Sequence, residues 1–257
     1  MLDLQKASLL KRVSAYILDM ILVLILAVGF ACAFSWMFGY AKYETTLDER
    51  RDFFIEKYGL EEYAEDFALA ETELEKLTDE QKEAYTNAMK EFEKDPEANR
   101  AWGMLLSLSF LILTFSVLLT YLVLEFFVPL ALGGGMSIGR KIFAVGVMHE
   151  NYVKVNPTAL FVRSILGKCT IETMVPLYLI LLILFGQLGI IGTLVLIGML
   201  LLQLILVFTT RTHSTIHDLL SHTISVDYSS QMIFENEEAM LRYKSERARE
   251  AAERESY

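Results

Sequence analysis

Charged side chains set inside apolar runs are the residues of this chain with chemistry to offer, and Arg12 and Asp19 come first. Both belong to a stretch that stays apolar through Leu26, Phe30 and Phe34 to Trp36. Seven residues is nearly two helical turns, so the two side chains share a face about 10 Å apart along the axis. An ionisable group at bilayer depth costs about 2.5–3.5 kcal/mol on insertion scales, which implies a partner or a pathway. Helical side chains lean toward the N-terminus, so Asp19 points back toward Arg12 while Arg12 leans away. A direct pair is therefore marginal, and Asp19 is expected to meet a basic group of another segment: Arg140, Arg163 or His217. Asp218 completes this set, and Glu172 and Gln203 are secondary candidates. Two chemistries fit it: a cation or proton site centred on Asp19, or a buried ion-pair network that fixes how helices assemble.

Other site chemistries find less support. His213 and His217 stand at i, i+4, as zinc ligands on a helix do, but no third ligand follows at fixed spacing, and no metal is expected. Gly134-x4-Gly139 is followed by Arg140 where a phosphate loop needs lysine, and no strand precedes it. No nucleophile, base and orienting acid converge in the sequence. The expectation is neither an enzyme nor a cofactor protein, and there is no nucleic-acid signature.

The elements that must position these residues are helices long enough to span a bilayer. The chain of 257 residues is 54% apolar, with mean hydropathy +0.38 and apolar runs longer than 18 residues. This excludes an ordinary soluble domain. Spans are predicted at about residues 14–38, 102–130, 168–186 and 189–209, the last two separated at Phe185-Gly186-Gln187-Leu188-Gly189. Pro176 kinks the third. Glu125, about 34 Å beyond Trp102 at helical rise, is expected at an interface, in contact with water. The leader with Lys6, Lys11 and Arg12 reads as retained rather than cleaved, since Asp19 is a poor occupant of a signal core. Cys32 and Cys169 lie near opposite membrane faces, so no disulfide is expected.

Net charge is −10, and residues 42–100 hold 9 Lys+Arg against 19 Asp+Glu, leaving 14 of each elsewhere. The acidic excess thus belongs to one insert. Its apolar residues recur at helical spacing, as in Tyr85, Met89 and Phe92. Thr78 with Gln81 is a capping box, and Asp95-Pro96 a helix start. Two or three amphipathic helices are predicted, with Phe53, Phe54, Tyr58, Tyr63 and Phe67 available to a partner. After the glycines, residues 142–147 and 152–155 flank a polar turn and predict a small β-hairpin. Asn156-Pro157 then opens an interfacial amphipathic helix carrying Arg163, Lys168 and Glu172. A charged helix from Glu235 to Glu255 closes the chain.

Basic residues stay cytoplasmic. Four spans put Lys6, Lys11, Arg12, Arg140, Lys141, Lys154, Arg163, Lys168 and Arg211 on one side, with both termini, and the acidic insert on the other. The reading is an all-α protein of the cell membrane. It consists of residues 1–41 (terminus and first span), 42–101 (extracytoplasmic helical insert), 102–212 (spans two to four with the glycine-rich loop, a cytoplasmic hairpin and the interfacial helix) and 213–257 (His-Asp segment and tail).

Arg12 and Asp19 in the first span, the Gly134-Gly135-Met136-Ser137-Ile138-Gly139-Arg140-Lys141 segment, Arg163, and His217-Asp218 after the last span occur in an order that resembles the RDD family of membrane proteins. That family is named for one arginine and two aspartates, here matched by Arg12, Asp19 and Asp218. The resemblance covers about residues 5–40 and 102–227. It implies a multi-helix membrane protein, with transport or cation/proton exchange among the suggested roles. The long insert and His222, where a small residue is usual, are departures. Two functions are carried forward. One is a cation/proton transport component using Asp19, expected to assemble as a homo-oligomer in the bilayer; the other is a non-transporting scaffold or sensor that binds a protein partner through residues 42–100.

Overall fold

A computed structural model describes residues 4–61, 67, 69, 71–210 and 214–255. Tyr63, Arg211 and His213 lie outside them. Among the described residues, four helices are long and apolar enough to cross a membrane: α1 (Leu9–Met37), α5 (Pro96–Leu132), α7 (Pro157–Leu184) and α8 (Gly189–Thr209). Between the first two lie α2 (Tyr40–Tyr58), α3 (Glu71–Leu74) and α4 (Asp79–Phe92). The rest of the chain adds α6 (Ile138–Ile142), β1 (Val145–His149), α9 (Ile216–Leu220), β2 (Thr223–Asp227) and α10 (Glu237–Glu255).

Along α1 only Ala15 and Asp19 are buried, and along α8 only Gly192. Their outward Leu, Ile and Val side chains would be costly in water and are at home in hydrocarbon. At about 1.5 Å per residue the 21 residues of α8 match a ~30 Å hydrocarbon core. Three of the predicted spans differ at their ends. The helix of the third begins at Pro157, so the predicted interfacial helix and the third span are one continuous element.

The chain divides into two compact units, residues 29–116 and, as the other, residues 1–28 with 117–257. In the first, α2 and α4 pack around Ile55, Leu60, Tyr85 and Ala88. Thr78 caps α4 through the expected reciprocal pair with Gln81: the Gln81 backbone N–H donates to Thr78 Oγ1 at 3.3 Å, and the Thr78 N–H to Gln81 Oε1 at 2.9 Å. Asp95 caps α5 by accepting from the Ala98 N–H at 2.8 Å, and also holds Arg50 at 2.5 Å. Phe54 is buried against Phe92, and Phe67 packs on Tyr85 and Phe92. These two aromatics serve the unit's own core, whereas Phe53 remains exposed.

In the other unit β1 pairs antiparallel with β2, in register from Val145 opposite Asp227 to His149 opposite Thr223. This corrects the predicted local hairpin. The chain does turn after His149, whose N–H donates to Val153 O at 2.9 Å, but only a single bridge, Met148 with Lys154, follows. Tyr152 adopts a left-handed φ of 67° in that turn, and Asn156 already caps α7, which leaves too little extended chain for a second strand. The β-branched Thr223, Ile224 and Val226 of β2 supply it instead, burying Ile224 and Val226 with Met148. The pairing draws the segment after α8 back beside α6.

Candidate functional site

Within α7 the stretch Val162–Met174 winds more widely than an α-helix, with i→i+5 bonds such as that from the Val175 N–H to Thr170 O. At about 100° per residue an α-helix would point residues 163 and 172 in opposite directions. The wider winding brings Arg163, Lys168 and Glu172 round to one side, and all three find partners there. Leu122–Phe127 in α5 winds in the same way and carries Glu125. Each wide segment ends directly before a Val-Pro pair, Val128-Pro129 and Val175-Pro176. Proline lacks the N–H of the regular ladder and crowds the carbonyl four residues back, so the turn before it must re-register.

Asp218 lies at the centre of the first cluster. One of its oxygens accepts from Arg163 Nη1, which also donates to Thr223 Oγ1 at 2.5 Å. The other accepts from the Thr215 hydroxyl at 3.2 Å and faces Arg12 Nη2 at 3.8 Å. Burial alone would raise the pKa of this carboxyl, but Arg163 and His217 outweigh burial and hold it well below the usual carboxylate range. Glu172 grips the preceding residue twice: His217 donates to it through its backbone N–H at 3.0 Å and through Nδ1 at 2.8 Å. Burial and then Arg163 push the His217 imidazole below its ordinary 6.5, so it is neutral near pH 7. The approach of α9 to α7 is close because residue 167 is glycine, where an added Cβ would stand 2.5 Å from His217 Cβ.

These two groups predict an acid sensitivity of defined origin. A lowered histidine pKa means that the unfolded chain binds more protons below pH 6.5, so stability falls as pH drops through that value toward the folded pKa. Asp218, also lowered, has the same sense in a lower window. Its contribution is present above the unfolded value of about 3.9 and declines only below it. Thermal unfolding between about pH 5 and 7.5 is therefore expected to show a falling Tm on acidification that His217→Gln flattens. An unchanged slope in that variant would assign the sensitivity elsewhere.

Asp19 has different partners from those the sequence suggested. It accepts from Ser137 Oγ at 2.5 Å and from the Gly139 backbone N–H at 2.7 Å, at the start of α6. Gly139 is required, since a Cβ there would stand 2.4 Å from the Ala15 carbonyl oxygen. Among the described residues Asp19 forms no ion pair, which corrects the expectation of Arg140, Arg163 or His217. The physical reason is that the α6 N–H and the Ser137 hydroxyl already satisfy the carboxylate at close range. Glu125, expected in contact with water, is instead buried and paired with Lys168 at 2.5 Å.

A cavity of about 160 Å³ opens beside these groups, and Arg12, Tyr16, Asp19, Arg140, Lys168 and His217 are among its walls. Arg140 is half-buried there and forms no hydrogen bond or ion pair among the described residues. Gln203 is half-buried on α8 and is not one of the cavity's walls. Of the sequence candidates, the structure thus brings Arg12, Arg163, Glu172, His217 and Asp218 into one bonded cluster, sets Asp19 and Arg140 on the adjoining cavity, and leaves Gln203 apart.

A protein-family model described as the RDD family matches residues 6–222. This chain belongs to the RDD family. No match was found among curated proteins or among solved structures. The matched span of this RDD membrane protein takes in all the charged residues of the cluster and the cavity. Glu125 and Lys168 were missing from the sequence-based site of the RDD chain. A readable signal for them was the pair of Val-Pro steps, each of which follows a wide-wound segment that holds one of these charges.

Proposed function

We propose that this RDD protein is a component of an ion-translocating membrane system in which Asp19 takes up and releases a proton. The observation that carries the reading is the placement of Asp19: a buried carboxylate on an apolar helix, outside any ion pair among the described residues, on the wall of a cavity that several charged side chains line. An acid locked to arginine would be a structural fixture, whereas one held by a hydroxyl and an N–H can be protonated without breaking an ion pair. The cluster around Asp218 is the fixture here, and the cavity is the part with room to work. Both termini and the basic cavity face the cytoplasm in this reading, following the distribution of Lys and Arg, and the acidic insert lies outside. Four helices leave little space for an aqueous path, so the working form is an assembly of several copies. A bare metal cation is a poor occupant of a wall that carries Arg12, Arg140 and Lys168, which favours the proton as the species held at Asp19.

Asp19→Asn keeps the shape and the hydrogen bonds but cannot ionise. In proteoliposomes carrying a sodium or potassium gradient, proton flux followed with a pH-sensitive dye is expected to fall at least about tenfold in this variant, the scale of a lost acid–base group. Unchanged flux from protein with wild-type thermal unfolding would overturn the reading.

One observation favours a second function, a scaffold or sensor: the insert has its own buried core and its own ion pairs, Arg50 with Asp95 and Lys57 with Glu91. A mere connection between two spans needs neither. Deleting residues 44–98 separates the readings. A transporter is expected to keep its flux without the insert, whereas a sensor, which carries no flux, is expected to lose its response to an external partner.

A further inference from the structure

We propose that the cavity beside Asp19 binds a singly charged phosphate group, and that it does so together with a proton on Asp19. The inference rests on the reading of Asp19 as a proton carrier and names what accompanies the proton. Counted across cluster and cavity, Arg12, Arg140, Arg163 and Lys168 face Asp19, Glu125, Glu172 and Asp218, with His217 neutral. The ensemble is balanced when Asp19 is ionised. Protonating Asp19 leaves one positive charge in excess, in a site where an uncompensated charge is costly.

That excess has a specific location. Lys168 is engaged by Glu125 and Arg163 by Asp218, whereas Arg140 has no hydrogen bond or ion pair among the described residues and faces the cavity. Its planar fork suits two oxygens of a phosphate. The Ser225 hydroxyl also stands on the wall as a donor. At about 30 Å³ per water, the space holds about five waters, enough for a phosphate group and part of its hydration. Leu9, Val13 and Val207 give the same cavity an apolar border, and Leu9 and Val13 are themselves exposed on α1. A lipid headgroup with its chains along α1 and a free phosphate ester both meet this chemistry.

The linkage is reciprocal: an anion in the cavity favours protonated Asp19, and a proton on Asp19 favours the anion. The groups facing Asp19 are Arg12 and Tyr16 on its own helix, Glu125 of α5, Arg140 of α6, Lys168 of α7 and His217 of α9. Of these, His217 also titrates near neutrality, so substitution at Asp19 is needed to separate the two.

Calorimetric titration of the purified, delipidated full-length protein provides the test. The probes are dimethyl phosphate and a short-chain phosphatidylglycerol, both single anions between about pH 5 and 8. Wild-type affinity is expected to fall with rising pH, approaching about tenfold per unit for one linked proton. Asp19→Asn is expected to bind at the acid-limit affinity at every pH. Arg140→Gln is expected to weaken binding at least about tenfold, and Arg140→Lys to restore part of it. Binding of the lipid alone assigns the headgroup as the source, and equal binding of dimethyl phosphate assigns free phosphate esters; both support the site. No binding of either probe to the wild type at acid pH, or the wild-type slope retained in Asp19→Asn, would overturn the proposal. If Asp19→Asn abolishes flux but keeps that slope, only the anion linkage fails. If it flattens binding and leaves flux intact, only the proton-transport reading fails.

Discussion

Replacing Asp218 by alanine is expected to lower the stability of the folded protein by about 3–5 kcal/mol, the cost of leaving buried cations without their counter-charge. The carboxylate is 1% exposed, and both Arg163 and Arg12 depend on it. Without it two guanidinium groups face each other across a space with no compensating acid. Arg163 is already close to its limit, since its Nη2 is buried with no hydrogen-bond partner among the described residues. The second substitution Arg163→Met, made on top of Asp218→Asn, is expected to recover part of the loss, because the buried pair then leaves together while Arg12 still lacks its acid. Denaturant unfolding in detergent measures both. A loss below about 1 kcal/mol for Asp218→Ala would show that the cluster is wetter than its geometry implies.

The pair Lys168–Glu125 is expected to behave the same way and, in addition, to report on helix assembly. Lys168→Met leaves Glu125 charged and buried between α5 and α7, at an expected cost of about 3–5 kcal/mol, and Glu125→Leu alone leaves Lys168 in the same position. The double variant Lys168→Met with Glu125→Leu is expected to unfold close to wild type. Should the double variant lose as much as the sum of the single ones, the two groups would be independent and the 2.5 Å contact of no energetic consequence. This pair joins the two wide-wound segments, so its loss bears on their winding as well as on charge.

Much of the architecture is legible from periodicity and punctuation. The fourth span is predicted and found at residues 189–209, because glycines at 186 and 189, both in left-handed conformation, mark the break ahead of it. The caps at Thr78, Asp95 and Asn156 follow from residue type alone, since each supplies an oxygen within reach of N–H groups that have no partner in the helix. These are local effects, decided within about four residues. The β-pairing is not local. Residues 145–149 meet 223–227 across the whole of α7 and α8, and no hydrophobic pattern near either strand names the other.

The site divides along the same line. Residue types and their order by themselves mark Arg12, Asp19, Arg140, Arg163, His217 and Asp218 as one set, because a charge on an apolar helix must find its complement. They also determine the family, which those motifs identify. What only the tertiary structure decides is who pairs with whom. Two proline-terminated wide turns rotate Lys168 and Glu172 onto the side of Arg163 and turn Glu125 inward, a change in helical phase that α-helical spacing conceals. With Glu125 inside to hold Lys168, and α6 offering its first N–H groups to Asp19, the acid that the sequence marks for an arginine is left facing a cavity instead.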